Sequence, residues 1–299
     1  MNVAYDVDMV VVGAGPAGVA AALLAASLTM RTVVVEADQI GGKLHTIGAL
    51  DNVSGNWTNG PQLASALTKD LTRLERTGLC SVVRARALGV SSHDDRAELT
   101  LEDGRMLVAQ AVVVATGVTS LTPADAGWVN APTGFFAPPL WRTAPDQLAK
   151  QVYVLGGDRP LGTWLRAHPN VAATLHVLCP PADDYKVAEV AEDSRVRIVP
   201  VSSVALSPMA YGEGWVLEAM DRRGEPRSYA AATVLGNLGN KPATLGGLTP
   251  GADGYCPPGI QHPRVRIAGD LRSAGYQRIA TAQGSGAEAV LGYYYATQM

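Results

Sequence analysis

The hexapeptide Gly13-Ala14-Gly15-Pro16-Ala17-Gly18 follows a short apolar run, Asp8-Met9-Val10-Val11-Val12, and leads into the Ala/Leu-rich stretch Val19 to Leu28. This reads as strand, tight turn, helix. Glycine at these places suits phosphate binding for three separate reasons: Gly13 makes the turn, Gly15 lets a pyrophosphate approach the backbone, and Gly18 lets the helix pack close to the strand. The phosphates then lie on a helix N-terminus, where free N–H groups and the helix dipole favour anions. Taken alone, the glycines fit a ligand-free glycine-rich loop equally well. A second β-type run, Arg31 to Val35, however, ends at Glu36, 18 residues beyond Gly18. An acid there takes up a ribose hydroxyl. With strand, glycines, helix, second strand and acid in register, Pro16, Ala17 and Ala37 fall within one dinucleotide-binding unit. The glutamate also disfavours a 2′-phosphate, so this first site is not for NADP.

Other residue types with chemical potential are sparse. Cys80, Cys179 and Cys256 are too few and too scattered for a disulfide-stapled scaffold or a zinc site, so no metal is expected and a reducing, cytoplasmic compartment is the default. A Cys179/Cys256 disulfide requires the two Cα atoms to come within about 7 Å. His45, three residues after Gly42, has the right ordinary pKa, about 6.5, to exchange a proton near neutrality, but a histidine at a helix start also serves plain structural ends. In a chain with two phenylalanines and five tryptophans, Phe135, Phe136 and Trp141 cluster within seven residues. Such a segment either stacks on a planar ligand or packs as a proline-stiffened hinge.

The elements that must position these residues belong to a folded protein of about two domains: 299 residues, 47% hydrophobic and 17% charged. A net charge of −3 argues against nucleic acid as the main partner. The apolar stretch Met9 to Leu28 is interrupted by Gly13, Gly15, Pro16 and Gly18 and has no basic segment before it, so neither a signal peptide nor a membrane span is expected. Near the C-terminus, Val265 to Asp270 reads as a strand ending in Gly269 and an acid, followed by a long helix from about Tyr276 to Tyr295.

The pairing of Gly13 to Gly18 and Glu36 with Ala268-Gly269-Asp270 and Tyr276 to Gly286 resembles the FAD domain of low-molecular-weight thioredoxin reductases and their relatives. Ile40-Gly41-Gly42-Lys43-Leu44, Leu50 to Gly55 and Val112 to Gly117 strengthen the likeness, which covers essentially the whole chain. It implies an α/β protein of two Rossmann-like, three-layer ββα domains, the second inserted into the first. The FAD domain would comprise residues 1–118 and 245–299 and the insert residues 119–244, with joints near Gly117 to Thr119 and Gly239 to Thr244. The resemblance places Glu36 on the adenosine ribose and Gly41, Gly42, Lys43, Leu44 and Asn52 along the cofactor. It places Gly269 and Asp270 on the ribityl or pyrophosphate portion, with Ala115, Thr116 and Gly117 closing over the nucleotide. The family's Arg-Gln-Ala is here Gln277-Arg278-Ile279, so the first two positions look exchanged. The last helix would aim its N-terminus at the flavin N1/C2 carbonyl, where reduction develops negative charge. Arg278 would then favour the anionic reduced flavin, or else face solvent as an ordinary surface arginine.

Three departures matter. Phe135 to Arg142 occupies the place of the family's Cys-x-x-Cys and contains no cysteine, so the standard disulfide exchange is excluded there. The second glycine turn, Gly156-Gly157-Asp158-Arg159-Pro160-Leu161-Gly162, departs from Gly-x-Gly-x-x-Ala. Where NADPH-dependent relatives carry His-Arg-Arg, the chain has Cys179-Pro180-Pro181-Ala182-Asp183-Asp184, whose aspartates repel a phosphomonoester. Gly156, Gly157, Arg159 and Gly162 could hold a second FAD or another dinucleotide, as in diflavin-linked disulfide oxidoreductases, or the insert could bind nothing. The expectation is an FAD-dependent oxidoreductase passing electrons between a small-molecule substrate or redox protein and oxygen or a second acceptor. Its candidate chemical residues are His45, Trp141, Cys179 and Cys256. The alternatives are a diflavin enzyme with a relocated disulfide and a non-catalytic flavin-binding regulator. Three tyrosines, Tyr293 to Tyr295, suit a homodimer interface.

Overall fold

The computed structural model describes residues 6–298, so Met299 of the tail and the first five residues lie outside the description. The chain divides into two compact units, residues up to Thr119 together with Lys241 onward, and residues Ser120–Asn240. The strands and helices of the first unit's leading part are β1 (Val7–Val12), α1 (Pro16–Ser27), β2 (Thr32–Glu36), α2 (Gly60–Glu75), β3 (Cys80–Arg84), β4 (Ala87–Ser92), β5 (Ala97–Leu101), β6 (Met106–Val114) and β7 (Val118–Ser120). Next come β8 (Val129–Asn130), β9 (Gln151–Leu155), α3 (Pro160–Ala167), β10 (Thr174–Cys179), α4 (Asp184–Val187), β11 (Val196–Pro200), β12 (Ser203–Pro208), β13 (Trp215–Met220), β14 (Pro226–Ala231) and β15 (Val234–Gly236). The chain closes with β16 (Asn240–Pro242), β17 (Val265–Ile267) and α5 (Ile279–Gln298).

In the first unit the strand order is β3-β2-β1-β6-β5-β4, with β17 also pairing β6. β1 has parallel partners on both sides, β2 and β6. A strand buried on both faces reads as a continuous apolar run, which is why Met9 to Val12 shows no alternation. Met9 and Val11 join the helix-side core with α1, α2 and α5, while Val10 and Val12 join the opposite core with the β4–β5 hairpin and β17. Helices α1 and α5 meet through small residues. A side chain on Gly286 would run into the Ala17 carbonyl, which is why this stretch of α5 carries Gly and Ala rather than Leu.

The last helix starts at Ile279, three residues later than the sequence pattern suggests, and runs to Gln298. Tyr276 stands at φ 61°, a left-handed conformation that no α-helix continues through.

The second unit repeats the logic. Its parallel sheet runs β11-β10-β9-β15, and a second sheet, β14-β13-β12-β8, covers one face through Leu155, Leu178, Val204 and Leu217. α3 and α4 cover the other face, around Val154, Val177, Leu161 and Trp164. In both units the first strand of the parallel sheet lies between the next parallel strand and a later one, β1 between β2 and β6 and β9 between β10 and β15, and ligands of open α/β sheets sit where the strand order reverses in this way.

Candidate functional site

The first turn is held open by its own packing. Gly13 takes φ 98°, and its N–H donates to the Val35 carbonyl at 2.8 Å. A Cβ on it would lie 2.6 Å from the Ala115 carbonyl oxygen, and one on Gly18 would strike the Gly13 carbonyl. Gly15 differs, because nothing lies within 4 Å of where its Cβ would be. Space is therefore left at the one glycine that a phosphate must approach, and Pro16 starts α1 immediately after it. The first N–H groups of that helix have no partner within it and point out of this end.

Glu36 is buried at the end of β2, and its carboxylate is fixed at both oxygens. Oε2 accepts the Ala14 N–H at 2.6 Å and Oε1 the Asp38 N–H at 2.8 Å. Each oxygen keeps a lone pair for a hydroxyl donor. Several other sequence-derived residues converge here. The Gly41 N–H donates to the Ala14 carbonyl at 2.8 Å. Ala115 lies against Gly13, and Thr116 Oγ1 donates to the Ala243 carbonyl at 2.6 Å, ahead of Gly117 at φ 68°. Gly269, at φ 71°, donates its N–H to Ser285 Oγ at 2.8 Å and faces the Ala17 methyl. Beside it, burial raises the Asp270 carboxyl above the usual carboxylate range, against the pull of the Lys43 and Arg278 charges.

The remaining first-unit candidates are placed differently. Leu44 packs into the helix-side core, and Asn52 lies exposed in the loop before α2. His45 Nε2 donates to the Ile40 carbonyl at 2.8 Å, so this ring ties down its own glycine loop. Gln277 donates to the Tyr255 hydroxyl and the Ser273 carbonyl, whereas the exposed Arg278 donates back to the Gln277 carbonyl.

In the second unit the turn keeps the shape of the first. Gly156 has φ 90° and donates to the Leu178 carbonyl, as Gly13 does to Val35. The Gly157 N–H donates to Asp183 Oδ2 at 2.9 Å, repeating the bond from Ala14 to Glu36. In sequence, Asp183 and Asp184 read only as repelling charges. Asp183 is instead a buried acid in the position of Glu36, and Asp184 pairs with Arg222. The turn itself is occupied differently. Asp158 follows Gly157 where the first unit has Gly15, and Lys186 Nζ bridges Asp158 at 3.2 Å and Asp183 at 2.8 Å. Val187 sits against Gly157, and Gly162 faces the Glu189 side chain rather than the carbonyl of the first glycine. Arg159 is exposed at the start of α3, near the Tyr185 ring. Sequence reasoning misses Asp158, Lys186 and Asp183 as a group, because a lysine 28 residues from its partner carries no local spacing signal.

The segment from Phe135 to Trp141 is tied to the second unit's own sheet. Pro138 accepts the Gly236 N–H at 2.8 Å, Phe135 packs edge-on to Trp215, and Arg142 lies 4.6 Å over the Trp141 ring. All three cysteines are free and buried, so the Cys179–Cys256 pairing is not made. Each side chain packs into the core of its own unit instead. Burial pushes the Cys80 and Cys179 thiols up to about 11 and also raises Cys256. A thiol in that range is protonated at neutral pH and a poor nucleophile. Among the described residues no cluster of ligands could hold a metal, and no helix is long and apolar enough to cross a membrane.

Residues 8–129 match the family model described as FAD dependent oxidoreductase. An NADH dehydrogenase of Ferdinandcohnia aciditolerans is 34% identical over 111 residues, 37% of this chain and 20% of that protein. An alkyl hydroperoxide reductase component of Pseudomonas putida is 36% identical over 118 residues, 39% of this chain and 22% of that protein. The match thus spans about a fifth of the length of these relatives. Among solved structures, Lactococcus lactis thioredoxin reductase in its FR conformation superposes with a TM-score of 0.76 at 18% identity, covering 98% of this chain and 100% of that one. The T. acidophilum thioredoxin reductase does so at 0.74 and 19%, covering 98% and 99%. The chain thus has the fold of these thioredoxin reductases along its length, and its residues 8–129 match the model of the FAD dependent oxidoreductase family.

Proposed function

We propose that the chain is an oxidoreductase holding one FAD on the first unit, reduced by a substrate or redox protein rather than through a Cys-x-x-Cys pair and NADPH. The observation that carries this reading is the contrast between the two turns. Gly15 leaves open space at the start of α1, whereas the matching place in the second unit bears Asp158, held by Lys186, which also pairs with Asp183. A pyrophosphate approaching the second turn meets a carboxylate already paired within the chain.

The first-unit residues fit FAD. The cradle at Gly15 would take the pyrophosphate, Glu36 the adenosine ribose and Asp270 the ribityl side. When bound, the flavin would supply one- and two-electron transfer. Arg278 and the N-terminus of α5 would favour negative charge at that end of the site. His45, Trp141 and the buried thiols have no direct part in this reading. Of the three tyrosines expected at a homodimer interface, Tyr293 is buried in the first unit's own core and Tyr294 packs against that core, so the further proposal of a homodimer is left with the exposed Tyr295.

Asp183 gives a second reading its specific support. An acid accepting the N–H after the first glycine is the arrangement that holds a ribose in the first unit, so NADH or a second FAD at Gly156 to Gly162 is the competing assignment. Release of flavin by denaturation decides between them. One FAD per chain, with no bleaching by NADH or NADPH under anaerobic conditions, is the expected result. Two FAD per chain, or bleaching by NADH, favours the second reading, and a chain that takes up no FAD overturns both.

A further inference from the structure

Between β11, the edge strand of the second unit's parallel sheet, and the β13–β14 hairpin lies a cavity of about 440 Å³. Ile198, Val199 and Pro200 form an apolar wall, and Arg222, Arg223 and Arg227 surround the opening with one acid, Asp221. The antiparallel register sets Arg227 opposite Ala219 and Tyr229 opposite Leu217, and both of these partners are buried. Arg227 and Tyr229 therefore leave β14 on the same face, with Tyr229 half-buried in the cavity and the exposed Arg227 guanidinium at its mouth.

The acids at hand do not satisfy all three cations. Arg222 is taken by Asp184 and by the Cys179 carbonyl. Asp221 gives Oδ1 to the backbone N–H groups of Arg223 and Glu225, at 2.8 and 3.0 Å, and its other oxygen stands 3.7 Å from Arg227. Three cations thus face two carboxylates. The Tyr229 ring is fixed from behind by Tyr153, 5.4 Å away, which stacks in turn on His176. A single charge on an edge strand is a common guard against unwanted strand pairing. That purpose requires neither a cavity, nor three guanidinium groups, nor a braced aromatic ring.

We propose that this cavity binds a small oxyanion carried on a flat apolar body, such as an aryl phosphate or a mononucleotide. Arg223 and Arg227 hold the oxyanion, since guanidinium groups pair with phosphate and carboxylate oxygens two at a time. Tyr229 lies against the flat part. The volume falls in the range of about 300–1,000 Å³ usual for small-molecule sites. Every residue invoked belongs to the second unit, so the assignment stands whether or not the reading of the first unit holds.

The test is calorimetric titration of the FAD-loaded protein with adenosine 5′-monophosphate, adenosine and inorganic phosphate. Adenosine 5′-monophosphate is expected to bind, phosphate more weakly, and adenosine not at all. The pair Arg223→Gln and Arg227→Gln should weaken adenosine 5′-monophosphate by about tenfold or more, as loss of charge-assisted hydrogen bonds does, with flavin content unchanged. Tyr229→Leu should weaken adenosine 5′-monophosphate but leave phosphate alone. If the double variant does not fold, Arg223→Gln alone, at an exposed turn, carries the same prediction with a smaller loss. Absence of binding at millimolar ligand, equal binding of adenosine, or affinity that survives the arginine substitutions overturns the proposal.

Discussion

At the scale of single residues, Gly15 and Gly18 of the first turn make different predictions. Gly15 has an extended backbone, φ −74° and ψ −175°, and open space at its Cβ. Gly15→Val therefore strains nothing in the fold but fills the room through which a pyrophosphate reaches the backbone. The variant should melt at the wild-type temperature when both are stripped of flavin, and bind FAD about tenfold or more weakly, the equivalent of one or two lost charge-assisted hydrogen bonds. A Gly15→Val protein that keeps full flavin content refutes this placement of the cofactor. Gly18→Val should instead fail to fold, because its side chain would run into the Gly13 carbonyl. Asp270 makes a prediction in pH. Burial raises its folded pKa, so the folded state favours the neutral acid, and the cost of the buried charge grows as pH rises from its unfolded value of about 3.9. Flavin-free Asp270→Asn should thus melt above wild type at about pH 7, by about 2–4 °C for each 1 kcal/mol relieved, and converge with it near pH 4. Equal melting at both pH values rules out a penalty at Asp270.

At the scale of elements, the short segment from Pro181 through α4 distinguishes the second turn from the first. It brings Asp183, Lys186 and Val187 against Gly157 and Asp158. Burial alone lowers the Lys186 ammonium pKa, but the Asp183 hydrogen bond and the Asp158 charge outweigh it, and the net shift is upward. Stability from a raised lysine is fully present below its unfolded pKa of about 10.4 and is lost as pH rises through the folded value. Lys186→Met, which leaves two acids facing each other, should cost about 1–3 kcal/mol at neutral pH, less than a fully buried pair because Lys186 keeps some exposure. The gap between variant and wild type should close above about pH 10.4 as the wild-type lysine deprotonates. Urea unfolding across pH measures this, and a gap that does not change with pH removes the ion pair as its cause. The same segment shows where sequence reading succeeds and stops. Gly13, Gly15, Gly18 and Glu36 are legible because each acts within one strand-turn-helix-strand unit whose spacing is nearly fixed. Asp183 and Lys186 act through the fold of an irregular segment after β10: in sequence Asp183 reads only as repelling a phosphate, and Lys186 carries no spacing signal. The late start of α5 has a similar origin, since nothing in the sequence marks Tyr276 as left-handed.

At the scale of the whole molecule, each unit contains its own hydrophobic cores. The clusters around Met9 and Val10 lie in the first unit, and those around Val154 and Leu155 in the second. Two separate cores allow two separate unfolding transitions, so the melting temperatures of Gly15→Val and Asp270→Asn are read on the first unit's transition. FAD bound to the first unit stabilises that unit alone, by about 2.7 kcal/mol when free ligand is 100 times its dissociation constant. Calorimetry of flavin-free protein should then resolve two transitions, of which added FAD raises one by about 5–10 °C and leaves the other in place. Lys186→Met should lower only the transition that FAD does not move, and Gly15→Val should abolish the shift in the other. Movement of both transitions with FAD would mean that the second unit also gains a ligand, and would favour the reading in which Asp183 holds a ribose. A single transition that moves as one body would show that the units unfold together, and the assignment of each ligand would then rest on flavin stoichiometry and the point variants.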